Sequence, residues 1–398
     1  MGHDEDAHEE HPLNLPFDMS QLAAWLTPTG PVNLAAAKQI AHWTALHAPD
    51  GEGRVDAPTG NEPYLAVFEA AAAHIAALFD DPELRRVRLA TLTRRDWADR
   101  QLEELLPALT FLSQVVSKGL SGAQVEADAD ELAQHGIDAS MMQSILGSLA
   151  PTLVGTQAGG LLGTLSHAAL GRYDIAMPAQ KRDELWLVPG NLDAFATTWE
   201  LDHDEAIFVV TAHELLHNIL RGAPALHHQF ESLIEAFTEG YAFDPERLAQ
   251  SLFGGEDFDP GVNAVPNVDP MAFLAAMQTD AQIQPRTDLR RFVALTCGIV
   301  DTILRTAIRP LVKTFDIVEE ARRRNRIECS SSSAFLEALL GVDLTREEYE
   351  AGDHFAQGVL DRAGFAGLSQ IWTRDDGLPT KAEFDAPGLW LARLELST

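Results

Sequence analysis

The chain is poor in cysteine, in lysine and in positive charge altogether. Of 398 residues only 2 are Cys, Cys297 and Cys329, and they form no CxxC pair. That excludes a disulfide framework and a zinc site built from paired thiols. Both read as buried or half-buried thiols of a reducing compartment. Lys and Arg total 29 against 60 Asp and Glu, a net charge of −31, and just 5 of the 29 are Lys. Such a surface repels phosphate backbones and anionic bilayers, which argues against nucleic-acid and membrane partners. A secretory leader is also lacking: Met1–Pro12 reads MGHDEDAHEEHP, acidic where a leader is basic. The expectation is a cytoplasmic protein. Residues 1–16 read as an acidic, disordered tail whose His3, His8 and His11 have nothing to gather them round a metal. Residues 17–398 read as a single domain, because 46% hydrophobic residues provide a sizeable core.

A second shortage is local. Between Asp138 and Arg172 there is no charged residue, and Gly155, Gly159 and Gly163 recur at every fourth position. This is the small-xxx-small pattern of close-packed membrane helices. Pro151, Thr152, Thr156, Gln157, Thr164, Ser166 and His167 leave no clean apolar run of spanning length, so a buried helix pressed against a neighbour fits better. Strand signals are few as well. Tyr173–Met177, a turn over Pro178–Arg182 and Glu184–Val188 predict one hairpin, closed by Pro189-Gly190-Asn191.

Helical periodicity fills most of the remainder: Gln21–Trp25, Leu34–Leu46, Tyr64–Leu78, Trp97–Leu120, Ala123–His135, Leu192–Trp199, Asp204–Leu220 and Phe230–Phe243. Leu289–Val312, Ile317–Arg326 and Ala334–Leu340 continue it, the last capped by Ser330–Ser333. Gly254–Pro270 reads as a loop, and Arg374–Pro379 breaks the pattern before a final amphipathic piece. The fold class is therefore mainly α, an α+β chain with one small hairpin or sheet.

The chemistry-bearing motif is His213-Glu214-Leu215-Leu216-His217. On a helix the two histidines lie one turn apart and face the same way, as two ligands of one Zn²⁺ must. Glu214 sits about 100° round the axis, beside a metal and not on it, where a general base for a zinc-activated water belongs. Chance would produce about 0.04 H-E-x-x-H motifs in a chain of this composition. Ile207–Val210, Leu215, Leu216, Ile219 and Leu220 give the helix a broad apolar surface for burial.

A third ligand is needed. The metzincin pattern places His at position 223, which is Ala, so that subclass is excluded. Glu231, Glu235 and Glu239 stack on one face of the next helix, a like-charge stripe that a cation would relieve. Ile234–Glu239 resembles the E-A-x-S-D helix of thermolysin-like enzymes, which makes Glu235 the favoured ligand and Glu239 the acid that orients a ligand histidine. Glu239–Ala242 resembles the E-G-F-A ligand motif of aminopeptidase-like gluzincins, which would reverse the two roles. His227 and His228 read as a connecting turn, His167 as a satisfied core histidine, and His203 with Asp202 and Asp204 as a helix cap. Arg322, Arg323, Arg324 and Arg326 form the one basic run, read as a solvated face or an internal partner for the acidic excess.

Several stretches, in order, resemble the actinobacterial zincin-like hydrolase or metallopeptidase family, some members of which are named coenzyme F-420 biosynthesis associated. They are Gly30–Asn33 before an Ala-rich helix, Val154–Gln157, Leu170–Pro178 (LGRYDIAMP), Leu185–Phe195 (LWLVPGNLDAF), the HELLH helix, Leu378–Thr380 and Pro387–Trp390. The resemblance implies a zincin-like metallopeptidase core with its HExxH helix inside a multi-helical single domain. It also implies a gluzincin-type zinc site with Glu235 as third ligand, a peptide or protein substrate, and an edge strand over the metal, for which Glu184–Val188 is the candidate. Tyr173 or Asp174 would then approach the cleft, with a core or turn role the simpler reading. Tyr241 is a weak candidate for the oxyanion donor, and His227 or His228 a weaker one. The deazaflavin coenzyme of the family's name is not expected as a cofactor.

Overall fold

The computed structural model describes residues 30–47, 60–126, 139–173, 183–242, 244, 274–275, 277–328 and 330–396. The acidic tail, Gln21–Trp25, Asp174, Cys329 and the Gly254–Pro270 segment lie outside them. The first described element is α1 (Leu34–Leu46), where Asn33 accepts the Ala36 N–H at 3.1 Å and so caps the first turn. Then come α2 (Glu62–Leu78), a 3-10 turn, β1 (Arg88–Thr91), α3 (Arg94–Glu126) and α4 (Ala139–Leu165). The central third holds β2 (Glu184–Leu187), α5 (Pro189–Thr198), α6 (His203–Gly222) and α7 (Pro224–Glu239). After it run α8 (Ile283–Ile303), a π turn over Leu304–Ile308, α9 (Phe315–Glu328) and α10 (Ser330–Leu340). The chain closes with α11 (Arg346–Thr373), short α12 (Lys381–Phe384) and α13 (Pro387–Leu396). Helix α11 bends at Gly364, whose φ of 63° only glycine adopts freely. One continuous apolar core runs through these elements, as expected for a multi-helical single domain.

The charge-free stretch is a buried helix, α4, laid backbone-close on α1. A Cβ at Gly155, Gly159 or Gly163 would stand 2.7, 2.2 or 2.6 Å from the carbonyl oxygens of Asn33, Ala37 and Ala41. The glycine repeat is thus a groove for a neighbouring helix within one chain. Among the described residues no helix is long and apolar enough to cross a membrane.

Of the expected hairpin, residues 174–182, most of the first limb and the whole turn, lie outside the described residues. β2 pairs in parallel with β1, in the register Arg88 opposite Glu184 and Thr91 opposite Leu187. Gly171 meets Leu187 in a single antiparallel bridge, and the described partner strand comes from almost a hundred residues upstream. Four-residue β1 (RLAT) has only one strongly apolar side chain, too little alternation to signal a strand. The reading of His227 and His228 needs correcting. Pro224 starts α7 directly after Ala223, so both histidines lie inside a helix and not on a connecting turn.

A buried polar knot fixes the approach to the site. Asn191, at the start of α5, donates to the carbonyls of Ser166 and Ala169 at 2.7 Å each and accepts from Arg94 Nε at 2.8 Å. It ties α3, α5 and the segment after α4 together.

Candidate metal centre and its cavity

Helix α6 carries the motif through the middle of the protein. Asp202 caps it, accepting the Glu205 N–H at 3.0 Å. Glu205 in turn accepts the backbone N–H groups of Lys313 (3.2 Å) and Thr314 (2.9 Å) and the Thr314 hydroxyl. The hydroxyl hydrogen bond, then the backbone donors, hold the Glu205 carboxyl below its ordinary pKa. From Ile207 to Leu216 the helix is almost wholly buried, which is what its apolar surface dictates.

His213 and His217 project from one face, as their spacing requires, with ring centroids 4.5 Å apart. They are 6% and 7% exposed and both open onto a cavity of about 1100 Å³. Tyr173, Arg221 and the half-buried thiol of Cys297 share that cavity, and so do parts of α9 and α11.

Glu214 faces elsewhere. It is 1% exposed. Oε2 accepts the backbone N–H groups of Arg172 (2.7 Å) and Tyr173 (3.0 Å), while Oε1 takes a longer bond from the Tyr173 N–H (3.2 Å) and lies 3.5 Å from His213 Nδ1. The carboxylate therefore latches α6 to residues 171–173. Gly171 permits this approach: a Cβ there would lie 2.5 Å from the Glu214 carboxyl carbon.

The latched segment is gripped from its other side by α3. Trp97 Nε1 donates to the Gly171 carbonyl at 2.7 Å and Gln101 to that of Arg172 at 3.2 Å. The Arg172 side chain is fully buried, paired with Glu104 at 2.6 Å and packed over the rings of Trp186 and Tyr173. Buried ion pairs contribute little net stability, but breaking one is costly. Tyr173 stacks on His217 with centroids 5.8 Å apart, and its hydroxyl donates to Asn218 Oδ1 at 2.9 Å. Burial, opposed by Arg172 and reinforced by Glu214, pushes the Tyr173 phenol well above its ordinary pKa. It stays protonated at neutral pH, a hydrogen-bond donor beside the histidines.

The structure brings His213 and His217 together and sets Glu214 Oε1 beside His213 alone. It does not bring up Glu235 or Glu239: both are exposed on α7, and neither lines the cavity. Among the described residues no group of three His, Cys, Asp or Glu side chains could hold a metal ion. The two imidazoles thus fit two positions of a tetrahedral zinc site, and the third donor is not supplied by the described residues.

Other candidates fall away from the cavity. Tyr241 uses its hydroxyl on the Leu339 carbonyl at 2.5 Å, so it is not placed to stabilise an oxyanion. His227 and His228 both approach Glu231, at 3.3 and 3.9 Å. His167 bonds the Thr44 carbonyl at 2.9 Å, the satisfied role expected of it. No residue of β2 lines the cavity, so the strand offers it no open edge. The basic run finds internal partners: Arg322 pairs with Glu319, and Arg323 and Arg324 with Glu320.

Three residues at the site carried little sequence signal. Arg172 and Asn218 act through tertiary contacts alone. Arg221 could have been found, since it continues the 213, 217 stripe by one further turn.

A buried helix presenting two histidines to a cavity, among described residues that are mostly helical, is the arrangement a zincin-like protein requires. The chain belongs to the zincin-like metallopeptidase family, whose model matches residues 32–391. Its fold is similar to that of a crystal structure from Chloroflexus aurantiacus, described as a candidate hydrolase with a novel fold. The two share 20% identity over 92% of this chain and 99% of that one, with a TM-score of 0.60. No functionally curated protein matches this sequence.

Proposed function

We propose that the protein is a zinc-dependent hydrolase, a metallopeptidase that cleaves peptide bonds at the cavity beside α6. The observation that carries this reading is the pair His213 and His217, nearly buried, one turn apart and open to that cavity, in a chain of the zincin-like metallopeptidase family. Zinc, when bound there, supplies Lewis-acid polarisation of the scissile carbonyl and a more acidic water. His213 and His217 would hold it. For the third donor, spacing supports Glu235 and, in the reversed assignment, Glu239; their exposed positions on α7 count against both.

The chain's own groups do the rest. Glu214 is the proposed general base, and Oε1, with its longer hydrogen bond and its place beside His213, is the oxygen that would take the proton. Tyr173 braces His217 by stacking, and Asn218 fixes Tyr173 in turn. The low exposure of both histidines keeps bulk water away from the reacting bond.

A second reading draws support from the same carboxylate. Two backbone N–H groups already occupy Glu214, which suits a protein that keeps zinc for stability and binds a partner without turnover. Incubation of zinc-loaded protein with a peptide library, read by mass spectrometry, separates the two. Cleavage that is lost in Glu214→Gln, with zinc retained, supports the hydrolase. Full zinc occupancy without any cleavage supports the binding protein.

A further inference from the structure

Arg221 stands one turn beyond His217, so His213, His217 and Arg221 form a single stripe along α6, and all three line the cavity. The Arg221 residue is 6% exposed, and its Nη1 is buried without a hydrogen-bond partner. The guanidinium lies over the Phe230 ring, 4.2 Å from its centroid, and no described carboxylate pairs with it. The other arginines on the cavity wall are engaged. Arg322 pairs with Glu319, Arg324 with Glu320, Arg346 with Glu350 and Arg305 with Asp353. A buried cation without a counterion is costly to maintain. On the wall of a cavity shared with His213 and His217, such a cation suits an anion that arrives with a ligand.

The anion's chemistry follows from the charge balance. One guanidinium that no described carboxylate pairs with, on a wall whose other described arginines already face carboxylates, suits a monoanion and not a phosphate dianion. The stripe also sets a length. The four residues from His217 to Arg221 rise about 6 Å along the axis, the reach of one to two extended residues at roughly 3.5 Å each.

We infer that Arg221 anchors the substrate: its guanidinium binds a carboxylate one or two residues beyond the bond held at His213 and His217, so the preferred substrate is a peptide cut near its free C-terminus. The identity of the cut bond rests on the hydrolase reading; the binding of the carboxylate does not. Asp or Glu side chains could present the same group, and the test includes them.

The test is calorimetric titration of full-length, zinc-loaded protein with three probes: Ala-Ala-Ala, its C-terminal amide, and N-acetyl-Ala-Asp-Ala amide. Mass spectrometry of the same mixtures reads hydrolysis separately. The free acid is expected to bind about 10- to 100-fold more tightly than the amide. Arg221→Met abolishes that preference and Arg221→Lys restores part of it. The thermal midpoint of Arg221→Met is expected not to fall, since the variant removes a buried charge that no described carboxylate pairs with. A purely structural arginine would lower it. Preference for the Asp probe over the plain amide, lost in Arg221→Met, keeps the carboxylate site and moves its source to a side chain.

Equal binding of acid and amide, no binding of any probe, or a preference that survives Arg221→Met overturns the inference. The wild-type comparison of acid and amide decides even where a variant fails to fold. An acid preference that depends on Arg221 without any product leaves Arg221 as a carboxylate site and removes the hydrolase. Product without an acid preference does the reverse.

Discussion

Glu214 is asked to be both a latch and a base, and two substitutions separate the roles. Glu214→Ala strips the acceptor from the backbone N–H groups of Arg172 and Tyr173, both buried. Each orphaned donor costs about 1–3 kcal/mol, so the loss is about 2–6 kcal/mol before any water enters the space. Unfolding entropy of about 2.1 cal/mol/K per residue gives roughly 0.8 kcal/mol/K for 398 residues. The thermal midpoint should therefore drop by about 2–8 °C. Glu214→Gln keeps a carbonyl acceptor on the same stem and loses only the extra strength of a charged acceptor, about 1–2 kcal/mol in all. Differential scanning calorimetry reads the stability, and cleavage of a reporter peptide reads the chemistry. The expected pattern is a small thermal loss with abolished turnover in Glu214→Gln, and a larger thermal loss with equally abolished turnover in Glu214→Ala. An alanine variant as stable as wild type would refute the latch. A glutamine variant that still turns over would refute the base and leave Glu214 as a positioning residue.

Other outcomes follow from the packing and the charges. Gly159→Ala drives a Cβ to 2.2 Å from the Ala37 carbonyl oxygen, whereas Gly160→Ala meets only Ile40 Cγ2 at 3.6 Å. The first should lose at least about 1–3 kcal/mol in urea unfolding; the second should be neutral or gain up to about 1 kcal/mol from helix propensity. Equal effects would contradict the backbone-close packing of α4 on α1. Glu205, whose carboxyl is held below its ordinary value of 4.5 by the Thr314 hydroxyl and the backbone donors beside it, stabilises the fold above that value. The contribution fades as pH falls through the lowered folded value. Thr314→Val should therefore lower the midpoint at neutral pH, and the gap from wild type should close in acid; a gap constant with pH would sink the assignment. Glu235→Ala and Glu239→Ala, compared for zinc content, decide the third donor. Loss in one alone names that residue, and retention in both, which their exposed positions favour, moves the donor elsewhere.

Helix by helix, the sequence was most legible where burial follows a period. Leu34–Leu46 was delimited to the residue, and HELLH was placed on a buried helix, because apolar spacing, an Asn or Asp cap and a proline or glycine boundary act locally. The α4 glycines foretold a close helix neighbour but not that α1 would be it. β1 escaped notice because four residues with one strongly apolar side chain carry no period, and its pairing with β2 is a long-range event. The site shows the same division. Two imidazoles i, i+4 apart share a face by helix geometry alone, so His213 and His217 could be found from spacing. The direction of Glu214 could not: it depends on Gly171 allowing a backbone segment against α6. Tyr241 and Glu235 carried family-like spacing, yet the tertiary structure turns one to Leu339 and leaves the other exposed.

If His213 and His217 hold a catalytic zinc, elemental analysis of the purified, folded protein will show it. Wild type should carry about one zinc per chain, and His213→Ala and His217→Ala should each lose it while keeping their helical circular dichroism. Wild-type protein that is folded, zinc-free and takes up none from added Zn²⁺ would contradict the account and leave HELLH as an ordinary buried helix.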